Sequence, residues 1–122
     1  MNARRVAVVG ASENPARYSN RAMRMLEANG FMPVPVSKSG KAMLGFPGYS
    51  SVVAIPDAVD TVTIYLRPER QEPVIHDILA IKPRRVIFNP GAENPSAASL
   101  LEQHGIATLE ACTLVLLGTG QF

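Results

Sequence analysis

Four consecutive apolar residues, Val6-Ala7-Val8-Val9, run without a polar interruption into Gly10, and no other feature of this sequence narrows the fold so far. A strand with one face in water alternates apolar and polar side chains. A strand without alternation is covered on both faces, as in parallel sheets. The segments that follow keep the pattern. Residues 18–29 have helical spacing, with Ala22, Met25 and Leu26 on one face, and Gly30 stands where a left-handed C-terminal cap belongs. A second strand reads over residues 32–36. Its Pro33 and Pro35 argue against a central place in the sheet, because proline has no N–H for a neighbouring strand.

The rest of the chain continues the alternation. Residues 37–48 are rich in Gly, Ser and Lys and read as a loop, and residues 50–54 as a short helical turn. Thr61-Val62-Thr63-Ile64-Tyr65-Leu66 is β-branched and aromatic, a third strand. Residues 68–81 read as a helix, with Pro73 tolerable only in its first turn. A fourth strand covers residues 84–88. Asn94-Pro95 is an N-cap followed by proline at the first helical position, opening a helix to His104. Residues 106–109 form a fifth strand.

Strands separated by helices imply a parallel sheet with right-handed crossovers. The expectation is a three-layer, Rossmann-like, doubly wound α/β domain of about five strands. It fills the chain, residues 1–122, because 122 residues are too few for two full domains. Ligands of such sheets bind beyond the carboxyl ends of the strands, where strand order reverses.

Composition removes several classes. Twelve basic and ten acidic residues leave a net charge of +2, too little for a polyelectrolyte partner, so no nucleic acid is expected. No apolar run approaches the roughly 18 residues that span a bilayer. The first strand follows Met1 with no small-residue cleavage site, and Cys112, a single cysteine, makes no internal disulfide. A cytoplasmic protein without a membrane association is expected. Arg21, Arg24 and Arg70 read as solvated surface charges.

The loop after the first strand carries the strongest chemical signal. Gly10-Ala11-Ser12 lets backbone N–H groups approach a phosphate, and the following helix adds the positive end of its dipole. Ser12 offers a hydroxyl and Arg17 a formal charge. The full dinucleotide fingerprint is absent, since Ser12 and Pro15 stand where its later glycines fall, and there is no Walker A lysine. After the second strand comes Ser37-Lys38-Ser39, without the acid that holds the ribose of NAD. Lys38 and Lys41 favour a ligand with additional phosphate. Read by itself, the loop is equally well a tight strand-to-helix turn.

The chain resembles the small bacterial CoA-binding proteins, which are similar to the CoA-binding domain of the succinyl-CoA synthetase α-subunit and of ADP-forming acyl-CoA synthetases. The carriers are Val8-Val9-Gly10-Ala11-Ser12 with Arg17-Tyr18-Ser19, Pro35-Val36 with the loop to Leu44-Gly45, Val59-Asp60-Thr61-Val62, Arg67-Pro68-Glu69, Asn89-Pro90-Gly91-Ala92-Glu93-Asn94, and the late Cys112. The resemblance covers essentially the whole chain and implies binding of coenzyme A or an acyl-CoA. By position, it implies that Gly10, Ala11, Ser12, Glu13, Asn14 and Pro15, with Arg17, hold the pyrophosphate, and Tyr18 counts among the cofactor-binding residues. Lys38 would meet a phosphate, Tyr65, Leu66, Arg67 and Pro68 would line the adenine, and Asn89, Pro90 and Gly91 would border the pantetheine. The chain departs from the pattern at Ser37-Lys38-Ser39, where many relatives have Asn-Pro, and at Glu110-Ala111, where many have Asp-Arg.

No catalytic constellation and no metal-ligand spacing are visible, and the resemblance does not extend to the second domain in which those synthetases phosphorylate a histidine, so no catalysis is expected. His76 and His104 fall on helices, and Cys112 reads as a small buried residue. Residues 112–117 carry no charge; they are either a last core element or an edge open to a second copy of the chain, giving a homodimer. Three functions stand: CoA binding without catalysis, an NAD(P)-linked redox enzyme or sensor, and an interaction protein with a vestigial nucleotide pocket.

Overall fold

The computed structural model describes residues 4–122. Five strands, β1 (Arg5–Val9), β2 (Met32–Val36), β3 (Thr61–Ile64), β4 (Arg85–Phe88) and β5 (Ala107–Glu110), pair in the order β2-β1-β3-β4-β5, all parallel. Between them run α1 (Tyr18–Ala28), α2 (Glu72–Ile81) and α3 (Pro95–Gln103), and α4 (Thr113–Gly118) follows β5. The apolar run of β1 is explained by burial on both faces. Val6 and Val8 join Met23 and Leu26 of α1 and Leu117 of α4, whereas Ala7 and Val9 join Ile75 and Ile78 of α2 and Leu101 of α3. Successive residues of a strand face opposite ways, so one unbroken run feeds two cores. The Rossmann-like three-layer expectation holds.

The prolines of β2 are accommodated because β2 is an edge strand. The N–H of Met32 donates to the Arg4 carbonyl, and the Val36 carbonyl accepts from Gly10 N–H, so residues of this parity face β1. Pro33 and Pro35 face outward, where no strand needs their N–H. The Pro35 carbonyl accepts instead from Tyr49 N–H at 3.0 Å, which folds the following loop over the edge.

Local details depart from the sequence reading. Met23 rather than Met25 takes the fully buried place on α1, since the buried face is Ser19, Asn20, Ala22, Met23 and Leu26. The expected helix over residues 68–81 is a 3-10 turn, Pro68–Arg70, then α2, with Pro73 inside its first turn. Residues 112–117 are not an edge strand. From Thr113 they form α4, which packs on α1, burying Thr113 and Leu117 and leaving Val115 59% exposed. An uncharged run has no period of its own, and β5 already occupies the sheet edge. Beyond α4, Phe122 lies edge-on to Phe31 at 4.9 Å, with the Arg85 guanidinium 4.3 Å over its ring. No helix among the described residues is long and apolar enough to cross a membrane.

Candidate functional site at the strand carboxyl ends

In this strand order the chain leaves β1 for β2 on one side and then returns to β3 on the other, so order reverses between β1 and β3. The loops after these two strands flank the crevice where doubly wound sheets bind ligands. Gly10, with φ of +87°, turns the chain out of β1. A Cβ there would come within 3.3 Å of both Leu66 and Tyr65, so the first and third loops pass in close contact.

The backbone donors of the first loop divide into two groups. Gly10 and Ala11 both donate to the Val36 carbonyl, at 3.0 and 3.2 Å, and thus tie the loop to β2. Asn14 N–H goes to the Ser12 hydroxyl, Ala16 N–H to the Asn14 side chain and Arg17 N–H to the Asn14 carbonyl. Among the described residues the N–H groups of Ser12 and Glu13 donate to no protein atom. The first turn of α1 is likewise open, because Arg17 occupies its N-cap without a side-chain capping bond. The free donors are therefore those of Ser12, Glu13 and the helix start, not of Gly10 and Ala11. Asn20, almost wholly buried, holds the loop down by donating to the Ser12 carbonyl at 2.9 Å.

The other expected residues lie on the same edge of the sheet. Lys38 is exposed in a turn closed by Gly40 N–H on the Ser37 carbonyl, just past β2. Lys41 reaches from this loop to the first one, with Nζ 3.3 Å from Glu13 Oε1. Tyr65, Leu66, Arg67 and Pro68 follow β3, and Arg67 is exposed. Asn89, Pro90 and Gly91 follow β4. The Asn89 side chain is 2% exposed and committed inside: it donates to the Thr63 hydroxyl (2.6 Å) and the Ile64 carbonyl (2.9 Å), and accepts from Thr113 N–H (2.9 Å). It joins β3, β4 and α4, and only its backbone neighbours Pro90 and Gly91 are exposed at the edge.

Beside this knot the Tyr65 hydroxyl is buried without a hydrogen-bond partner. Burial pushes its pKa up to about 12, against the pull of the neighbouring Thr113 and Thr63. Gln71, missed from the sequence, is wholly buried and clasps the third and fourth loops together. Its Nε2 donates to the Leu66 carbonyl at 2.9 Å and to the Ala92 carbonyl at 2.7 Å. A surface hollow of about 490 Å³, open to solvent, lies between α1 and α4 and is lined by Arg21, Arg24, Met25 and Leu114. It holds no converging set of polar groups, so the crevice between the loops remains the candidate site. Among the described residues no group of three or more His, Cys, Asp or Glu side chains is placed to hold a metal.

Known proteins resemble this chain in sequence and fold. A curated relative, the uncharacterized protein YneT of Bacillus subtilis, is 28% identical over 102 residues, covering 84% of this chain and 76% of its own. The solved structure of an uncharacterized protein superposes with a TM-score of 0.91 at 35% identity over the full length of both chains. A dinucleotide-forming acetyl-coenzyme A synthetase of Ca. Korarchaeum cryptofilum, solved with phosphate and ADP, shares the fold at 22% identity and a TM-score of 0.77, over 90% of this chain and 26% of its own. The family model described as CoA binding domain matches residues 4–118, nearly the whole length, and the chain belongs to that family.

Proposed function

We propose that this protein binds coenzyme A or an acyl-CoA in the crevice between the loops after β1 and β3, and that it performs no chemistry of its own. The observation that carries the reading is the first loop. It presents the unpartnered N–H groups of Ser12 and Glu13 next to the uncapped start of an eleven-residue helix, at the point where strand order reverses. Such a start attracts a phosphate through free donors and the helix dipole. Arg17 at the N-cap adds a full charge, and Arg and phosphate pair well through parallel N–H bonds. Membership of the CoA-binding domain family points to the same ligand.

The end of β2 favours CoA over NAD. Val36 is followed by Ser37-Lys38-Ser39, which offers positive charge where NAD sites place an acid. Binding without catalysis is supported by the placement of the two histidines. His76 is exposed on α2, and His104 ends α3 with its Nδ1 2.9 Å from the Leu100 carbonyl. Both stand apart from the loops that flank the crevice.

Calorimetric titration with CoA, NAD, NADP and ATP tests the reading. Micromolar CoA binding, about −8 kcal/mol, weakened by Arg17→Ala and by Lys38→Ala, is the expected result. Heat with NADP but not with CoA would assign the protein to the redox class. No heat with any of the four would refute a working nucleotide site.

A further inference from the structure

Glu13 places a negative charge inside the loop assigned to phosphate, where it repels that ligand. Its partner is Lys41, 3.3 Å away, and the pair bridges the loops after β1 and β2. Both backbones are held. The carbonyl of Ser12, next to Glu13, accepts from buried Asn20. Lys41 N–H donates to the Ser39 hydroxyl at 3.3 Å, and Gly48 lies flush against the Lys41 backbone, where a Cβ would collide with the Lys41 carbonyl. The backbones on either side are tethered and the two side chains stand 58% and 54% exposed, so the pair has most freedom in its side chains.

An ion pair this exposed is weakly held, because both charges stay hydrated and salt screens them. A docked pyrophosphate brings more negative charge than one carboxylate and competes for the same ammonium. We propose that Lys41 is a shared counter-ion, held by Glu13 in the free protein and given over to a ligand phosphate on binding, so that Glu13 limits the affinity of the site. This rests on the CoA reading and adds a specificity-determining pair to it. An isolated structural pair predicts no gain from deleting either partner, whereas a shared counter-ion predicts opposite effects of the two deletions.

The experiment is CoA titration of the wild type, Glu13→Gln and Lys41→Met at low and at high salt, with thermal melting of each as the folding control. Glu13→Gln is expected to tighten CoA by roughly three- to tenfold at low salt, as removal of one nearby charge in a partly aqueous setting implies. Lys41→Met is expected to weaken it by a similar factor, and both differences should shrink as salt rises. Unchanged or weaker CoA binding by a folded Glu13→Gln, alongside a wild type that binds, would overturn the shared counter-ion and leave the CoA reading standing. Failure of all three proteins to bind CoA would overturn the CoA reading and the counter-ion with it.

Discussion

Gln71→Met is the substitution that most directly asks whether the loops of the crevice are held from within. Methionine keeps the length and bulk of glutamine, so packing is conserved and the hydrogen bonds are lost. Three go: the bonds from Nε2 to the Leu66 and Ala92 carbonyls, and the bond Oε1 accepts from Asn94 Nδ2 at 3.0 Å. Each contributes about 1 kcal/mol net, and a carbonyl left buried without a partner adds roughly 1–3 kcal/mol. Ala92 is 1% exposed, so its carbonyl is the one most at risk. Asn94 also loses the partner that orients it while its Oδ1 caps α3 through Ala97 N–H. The sum is roughly 4–6 kcal/mol out of a total stability of about 5–15. At this chain length that corresponds to a melting point lower by about 16–24 °C. Urea unfolding followed by far-ultraviolet circular dichroism measures it, with the slope against urea expected to stay the same. Gln71→Glu should be worse near neutral pH, because a carboxylate would face two carbonyls. Its folded pKa would be raised, so the stability it retains is present below the ordinary glutamate value and lost as pH rises. A loss below about 1 kcal/mol for the methionine variant would mean that water serves both carbonyls, and would refute the clasp.

Two other substitutions test the knot beneath the edge. Tyr65→Phe removes a buried hydroxyl with no partner and is expected to leave stability equal or slightly higher at neutral pH. Because the Tyr65 pKa is raised to about 12, the unfolded chain releases that proton first. The wild type should therefore lose stability as pH climbs from about 10 to 12, by on the order of 2 kcal/mol. That component should be missing from the phenylalanine variant, and identical alkaline profiles in denaturant titration would sink the assignment. Asn89→Leu strands Thr113 N–H in the interior, and chemical denaturation should show a loss of roughly 3–5 kcal/mol. A loss confined to a few tenths of a kcal/mol would show that α4 does not depend on this amide.

What was legible in the sequence is what repeats or what a single residue type enforces. The two-sided burial of β1 follows from an unbroken apolar run, and the loop that bends out of it needs Gly10 at positive φ. Pro33 and Pro35 spoke against a central strand, and β2 lies at the sheet edge, because only a strand with one paired side can spare alternate N–H groups. Illegible were the parts decided by partners far along the chain. The run from Cys112 to Leu117 has no polar residue other than Thr113 to set a phase. Its helix depends on α1 beneath it and on the Asn89 amide that meets Thr113 N–H from 24 residues away. Gln71 is a polar residue between charged ones, with every local sign of a surface position. Only the return of the chain through Leu66 and Ala92 puts two carbonyls against it and makes burial favourable. The same reasoning separates the donors of the first loop. Its small residues announced a close approach, but which N–H groups stay free depends on Val36 of β2, whose carbonyl claims Gly10 and Ala11 and leaves Ser12 and Glu13 without a protein acceptor.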